Sequence, residues 1–171
     1  MIRDQGTGNM DESRPRAEEQ EGDDLPIGVL LFIAARAMET ANMDGLARAG
    51  YTDMTLAQAR IAARIEPSGS RVSQLAEAAQ VTKQTAAFLV AQLERAGYVE
   101  RVPDPTDRRA SLVRIAARGH AAREAVLPAL AQAEERWLAH IGPERMAQLR
   151  ETLTLLREVT DPYLDGGTPR Q

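Results

Sequence analysis

Between Ser70 and Arg118 the chain reads SRVSQLAEAAQVTKQTAAFLVAQLERAGYVERVPDPTDRRASLVRIAAR. Val72, Leu75, Ala76 and Ala79 recur at helical spacing, which predicts a short helix over about 72–79. Gln80-Val81 is a turn, and Thr82 is a good N-cap for a second helix ending near Ala96, just before Gly97. Ala86, Leu89, Val90 and Leu93 form its inward stripe, leaving Thr82, Lys83, Gln84, Ala87, Phe88 and Gln92 on the other face. Tyr98–Val102 and Ser111–Ile115 alternate and are rich in β-formers, so they pair as a hairpin around Pro103–Ala110. Helix, turn, helix and hairpin in that order admit few folds; the order is that of a winged helix-turn-helix.

The flanks are helical. Residues 1–24 hold little to bury and carry a net charge of −5, which predicts a disordered acidic tail. Such a tail is a solvated appendage or, alternatively, an autoinhibitory competitor for the basic surface. Residues 25–67 hold two helices. The first starts after Pro26 with the stripe Ile27, Leu30, Leu31, Ala34, Met38 and Ala41, and stops near Gly50. The second starts at Thr55, where Thr55-x-x-Gln58 has the form of a capping box, turns Leu56, Ala59, Ala62 and Ile65 inward, and ends at Pro67-Ser68-Gly69. The winged region occupies residues 68–116. Residues 117–160 give a long helix to about His140, with a kink expected at Pro128, and then a helix opened by Gly142-Pro143-Glu144. The last carries Met146, Leu149, Leu153, Leu156 and Val159 along one side, and residues 161–171 should fray. These terminal helices bear more apolar surface than a unit of this size can cover, so a partner subunit is expected. The fold class is mainly α with a small β-hairpin wing.

Composition narrows the function. With 4% aromatic residues the core must be aliphatic and alanine-rich, which suits packed helices. There is no cysteine, which removes disulfides, thiolate metal sites and thiol redox sensing. His120 and His140 stand 20 positions apart on one helix and cannot share a metal within it. No phosphate-cradling glycine loop and no nucleophile–base set is present, so neither an enzyme nor a bound cofactor is expected. No apolar run reaches membrane-spanning length, and the N-terminus lacks the pattern of a secretion signal; a cytoplasmic location is expected, with no membrane contact. The net charge of −4 is unevenly spread, with residues 68–119 at +3. Local field, more than net charge, steers a protein onto phosphate.

A helix fits the major groove of double-stranded DNA, and its first turns reach the base edges. Thr82, Lys83, Gln84 and Thr85 lie there; lysine can donate to guanine, and glutamine can pair in a bidentate manner with adenine. Phe88, on the same face, either contacts a thymine methyl or packs against the preceding helix. Arg95 is placed for phosphate or for the helix dipole. In the hairpin, Arg108 and Arg109 stand on an exposed turn suited to the minor groove, with Asp107 as an orienting partner for a guanidinium and Arg101 alongside. Trp137 reads as core packing, or as the wall of a cavity or dimer interface.

The run Tyr98-Val99-x-Arg101-x-x-Asp104-Pro105-Thr106-Asp107-Arg108-Arg109, after the helix start Val81-Thr82-Lys83-Gln84, resembles the multiple-antibiotic-resistance regulator (MarR) family, over about Ile27 to Val159. The resemblance implies a homodimer joined through the first and last two helices, a pseudo-palindromic operator, usually repression, and release by a small, often aromatic, anionic ligand. It places Lys83, Gln84 and Thr85 toward the major groove and Arg108 and Arg109 toward the minor groove. Two positions depart from the family pattern: Ala116 stands where a threonine commonly caps the fifth helix, and Phe88 replaces a polar residue. The cysteine-based peroxide-sensing branch is excluded. The competing expectation is a winged-helix protein-interaction module without sequence-specific DNA binding, favoured by the net negative charge.

Overall fold

The computed structural model describes residues 25–161; the acidic tail and the frayed C-terminus expected from the sequence lie outside them. The elements are α1 (Ile27–Arg48), α2 (Leu56–Ala62), α3 (Val72–Ala78), α4 (Lys83–Arg95), β1 (Val99–Asp104), β2 (Asp107–Ile115), α5 (Ala117–Ile141) and α6 (Pro143–Thr160). The chain divides into two compact units between Ala35 and Arg36, within α1. The described part of the first is the N-terminal portion of that helix, where Ile27, Val29, Leu30, Leu31, Phe32 and Ile33 are exposed.

In the second unit, helix ends follow local rules. Gly50, Gly97 and Gly142 all have positive φ where helices stop. The capping box that starts α2 is complete: the Gln58 N–H donates to the Thr55 hydroxyl at 3.3 Å, and the Thr55 N–H to Gln58 Oε1 at 2.7 Å. The helix is shorter than its apolar spacing predicts, seven residues, and its most buried side chain is Ile61, outside the expected stripe. Ile65 is buried from the loop beyond, while Leu56 and Ala62 are half-buried. In the turn between α3 and α4, Gln80 takes φ +53, a left-handed conformation that favours glycine. The core gathers Ile61, Leu75, Val90, Leu93, Tyr98 and Val113, so α4 is buried along one side only.

The hairpin is longer and its turn tighter than expected. β1 and β2 pair antiparallel from Val99–Ile115 to Pro103–Ser111, after which the partner of Asp104 is Asp107. This register jump leaves residues 108–110 without ladder partners, so the two arginines sit in an irregular stretch of β2, and Pro105-Thr106 forms the tip. Ser70 adds a bridge to Val113, exchanging backbone hydrogen bonds of 3.0 and 2.9 Å, and ties the entry to α3 to the base of the wing.

The helix α5 runs without interruption through Pro128. Its N-cap residue is Ala116, which offers no side-chain cap. Trp137 is only half-buried, so it is not the core anchor expected. No residue of α6 is buried; Leu149, Leu153, Leu155, Leu156 and Val159 are all exposed. Among the described residues, no helix is long and apolar enough to cross a membrane.

Candidate nucleic-acid interface

Helix α4 is held by Ala86, Leu89, Val90 and Leu93, the four positions the sequence pattern assigns to the core. At 100° per residue, the direction opposite their mean is occupied by Gln84, Phe88, Ala91 and Arg95. Lys83, Gln84, Thr85, Phe88 and Arg95 are exposed. Thr82 is the N-cap: its hydroxyl accepts the Thr85 N–H at 3.1 Å and lies 2.8 Å from the Thr85 hydroxyl. Both threonines are therefore engaged in starting the helix. The Arg95 Nε–H turns back to the Ala91 carbonyl at 3.3 Å. Gln92, expected on the free face, is half-buried, and its Oε1 accepts from Gln58 Nε2 at 3.0 Å. Phe88 is 58% exposed, so its ring is not buried against the preceding helix.

The wing is anchored by a pair that motif reading did not single out. Asp104, buried at the end of β1, accepts the Thr106 hydroxyl at 2.7 Å and the Thr106 N–H at 2.8 Å on one oxygen. Its other oxygen takes Arg71 Nε at 2.8 Å and Nη2 at 2.5 Å. These bonds, those of Thr106 foremost and Arg71 after them, hold the Asp104 carboxyl down to about 2. Arg71 stands at the N-cap position of α3, so the tip of the wing is tied to the start of that helix. The Asp107 carboxylate accepts the Arg109 backbone N–H at 3.0 Å and lies 4.0 Å from the Arg71 guanidinium. It fixes the backbone of the irregular stretch. The Arg109 side chain is exposed; that of Arg108 lies outside what the structure describes. Arg101 donates to Glu94 at 3.1 Å and to Ser111 at 3.4 Å, which commits it to bracing the wing against α4.

A second cluster joins the base of the wing to α5. The Tyr98 hydroxyl donates to Asp53 at 2.5 Å, and Arg118 donates to both Asp53 oxygens at 2.9 Å. The Arg118 guanidinium also lies 4.3 Å from the centre of the Tyr98 ring. Burial, then the bond to Asp53, pushes the Tyr98 hydroxyl up to about 12. The bonds from Tyr98 and Arg118 lower Asp53, and Asp53 raises Arg118 in return. Gly119 is required here by close approach: a Cβ would stand 2.2 Å from the Tyr98 carbonyl oxygen. The ring of Tyr98 lines a cavity of about 340 Å³ with Leu46, Met54, Ala59, Ile115, Val126 and Leu130, and with Asn42 and Arg123 as polar members.

Comparison with known proteins agrees with this geometry. Residues 52–110 match the model of the MarR family. No curated protein matches the chain. Among solved structures, a transcriptional regulator from Thermotoga maritima is 26% identical, with 83% of this chain and 99% of that one covered and a TM-score of 0.58. A MarR structure is 27% identical, with 78% and 96% covered and a TM-score of 0.64. A MarR family protein from Mycobacterium tuberculosis, in complex with salicylic acid, is 26% identical, with 78% and 98% covered and a TM-score of 0.58. Residues 52–110 are thus similar to the MarR family, and the chain shares the fold of solved transcriptional regulators of that kind.

Proposed function

We propose that the protein is a homodimeric transcriptional repressor that grips a pseudo-palindromic duplex operator through α4 and the wing and lets go when a small aromatic anion binds. The observation that carries this is a division of labour among polar groups. Arg71, Arg101, Asp104 and Gln92 are spent on internal bonds, whereas Lys83, Gln84 and Arg109 hold exposed side chains at the helix start and the wing. Lys83 and Gln84 then meet base edges, Thr82 and Thr85 shape the helix start beside them, Arg95 lies toward phosphate, Arg101 braces the wing, and Arg108 and Arg109 enter the minor groove with Asp107 setting the backbone.

A second copy would cover the apolar side of α6 and, separately, the apolar N-terminal portion of α1. A two-fold pair of recognition helices about 34 Å apart matches one turn of DNA. The cavity beside Tyr98 is of the size small-ligand sites take, and Arg123 supplies a cation for a carboxylate. A ligand pressing on Tyr98 acts on the Asp53–Arg118 link, and so on the angle at which α5 leaves the wing. Such a ligand shifts the balance only by binding the released arrangement more tightly.

Fluorescence anisotropy with a selected operator tests this. Arg109→Ala should weaken binding and reduce the salt slope by roughly one, while Gln84→Ala should change the preferred sequence. Affinity indifferent to salt would remove phosphate from the interface and favour a protein-interaction module.

A further inference from the structure

Phe88 stands at the middle of the outward side of α4, one turn after Gln84 and on the same side as Arg95. Among the described residues from 34 to 126 it is the single exposed large hydrophobic. Its inward neighbours Leu89 and Val90 are buried, and Gln92, a position later, is drawn aside by Gln58. Among the described residues, none therefore buries the ring, which stays 58% exposed. A polar residue would be better solvated at this place, so the phenyl group is explained by what it meets rather than by what it packs on.

If α4 lies in the major groove, that side must face base edges. A phenyl ring neither donates nor accepts, and covering a base donor or acceptor with it strips water without replacement. The thymine C5-methyl is the one apolar group the major groove presents. We propose that Phe88 is a specificity-determining residue that packs on a thymine methyl in each operator half-site. Side chains four apart on a helix have Cβ atoms about 5–6 Å from one another, while bases rise about 3.4 Å per step. The base pairs met by Gln84 and Phe88 are thus one or two steps apart, which places an adenine under Gln84 next to, or one removed from, the thymine under Phe88. This inference rests on the DNA-binding function proposed above and adds to it a base identity.

The test uses the full chain and an operator selected from a randomised duplex library at low salt. Each thymine of the selected half-site is replaced in turn by deoxyuridine, which lacks only the methyl group. One thymine per half-site should respond, with affinity falling about fourfold, the worth of one buried methyl, and roughly fifteenfold when both half-sites are changed. The Phe88→Ala protein should bind the thymine and deoxyuridine operators alike, and Phe88→Leu should retain the difference. Sequence-specific binding by the unaltered protein that ignores every such replacement overturns the inference while leaving DNA binding intact. So does a deoxyuridine effect that persists undiminished in Phe88→Ala. Failure to select any duplex overturns the DNA-binding function itself, and the inference with it.

Discussion

Replacing Gly119 by alanine sets two effects of opposite sign against each other. In an exposed helix the change is favourable by about 1 kcal/mol. Here the new Cβ would stand 2.2 Å from the Tyr98 carbonyl oxygen and 2.8 Å from the Ile115 Cγ2. The carbonyl is held in place, since it also accepts the Ala116 N–H at 2.9 Å. Relief requires the first turn of α5 to move by about an ångström, which overpacking data price at about 1–3 kcal/mol. It also endangers the Ala116 hydrogen bond, worth about 1 kcal/mol net. After subtracting the gain in propensity, the net loss is about 2 kcal/mol, or roughly 4–8 °C in melting temperature for a chain of this length. Circular dichroism during heating and in urea measures it directly. Gly28→Ala, also helical but with nothing within 4 Å of the added carbon, is the control and should melt at or slightly above the unaltered protein. A Gly119→Ala protein as stable as that control would refute the claim that close approach of α5 to the wing base requires glycine.

Asp104 bears on acid stability. Its folded carboxyl is held at about 2 against an ordinary 3.8, so its contribution is complete above pH 4 and is lost as pH falls toward 2. Melting curves of Asp104→Asn and the unaltered protein should therefore differ most at neutral pH and converge between pH 4 and 2; a constant gap would show that the charge is not what matters. Gln80→Gly removes a left-handed non-glycine residue and should stabilise by about 1 kcal/mol, read as a higher urea midpoint. Leu153→Glu on α6 should shift sedimentation from dimer to monomer while leaving the winged unit's helical signal in place, and a protein still dimeric would move the interface away from that side.

What was legible in the sequence was what neighbours along the chain decide. Thr55 and Gln58 are three residues apart, and Thr82 and Thr85 likewise, so a spacing rule sufficed to find both caps. Gly50 and Gly97 end helices for a reason internal to one residue. The inward side of α4 was readable because thirteen residues give the period room to declare itself; α2, with seven, did not, and Ile61 was missed. Contacts between distant positions left no local trace. Arg71 and Asp104 are separated by 33 positions, and Asp53 and Arg118 by 65. An aspartate in a turn looks the same in sequence whether it orients an arginine or anchors a strand. Asp107 shows how a residue noticed in a motif can also hold a backbone N–H, that of Arg109, which the motif does not spell out.

The core touches α4 through four side chains, and Gln84, Phe88, Ala91 and Arg95 lie on its far side. Substitutions among these four change what the helix meets without changing what holds it, since surface replacements of this kind shift stability by only about half a kcal/mol. Target choice and folding can therefore drift independently. On the DNA-binding function proposed above, a descendant of this protein would acquire a new operator in single steps, and an engineered one could be given a chosen operator, with the scaffold left untouched.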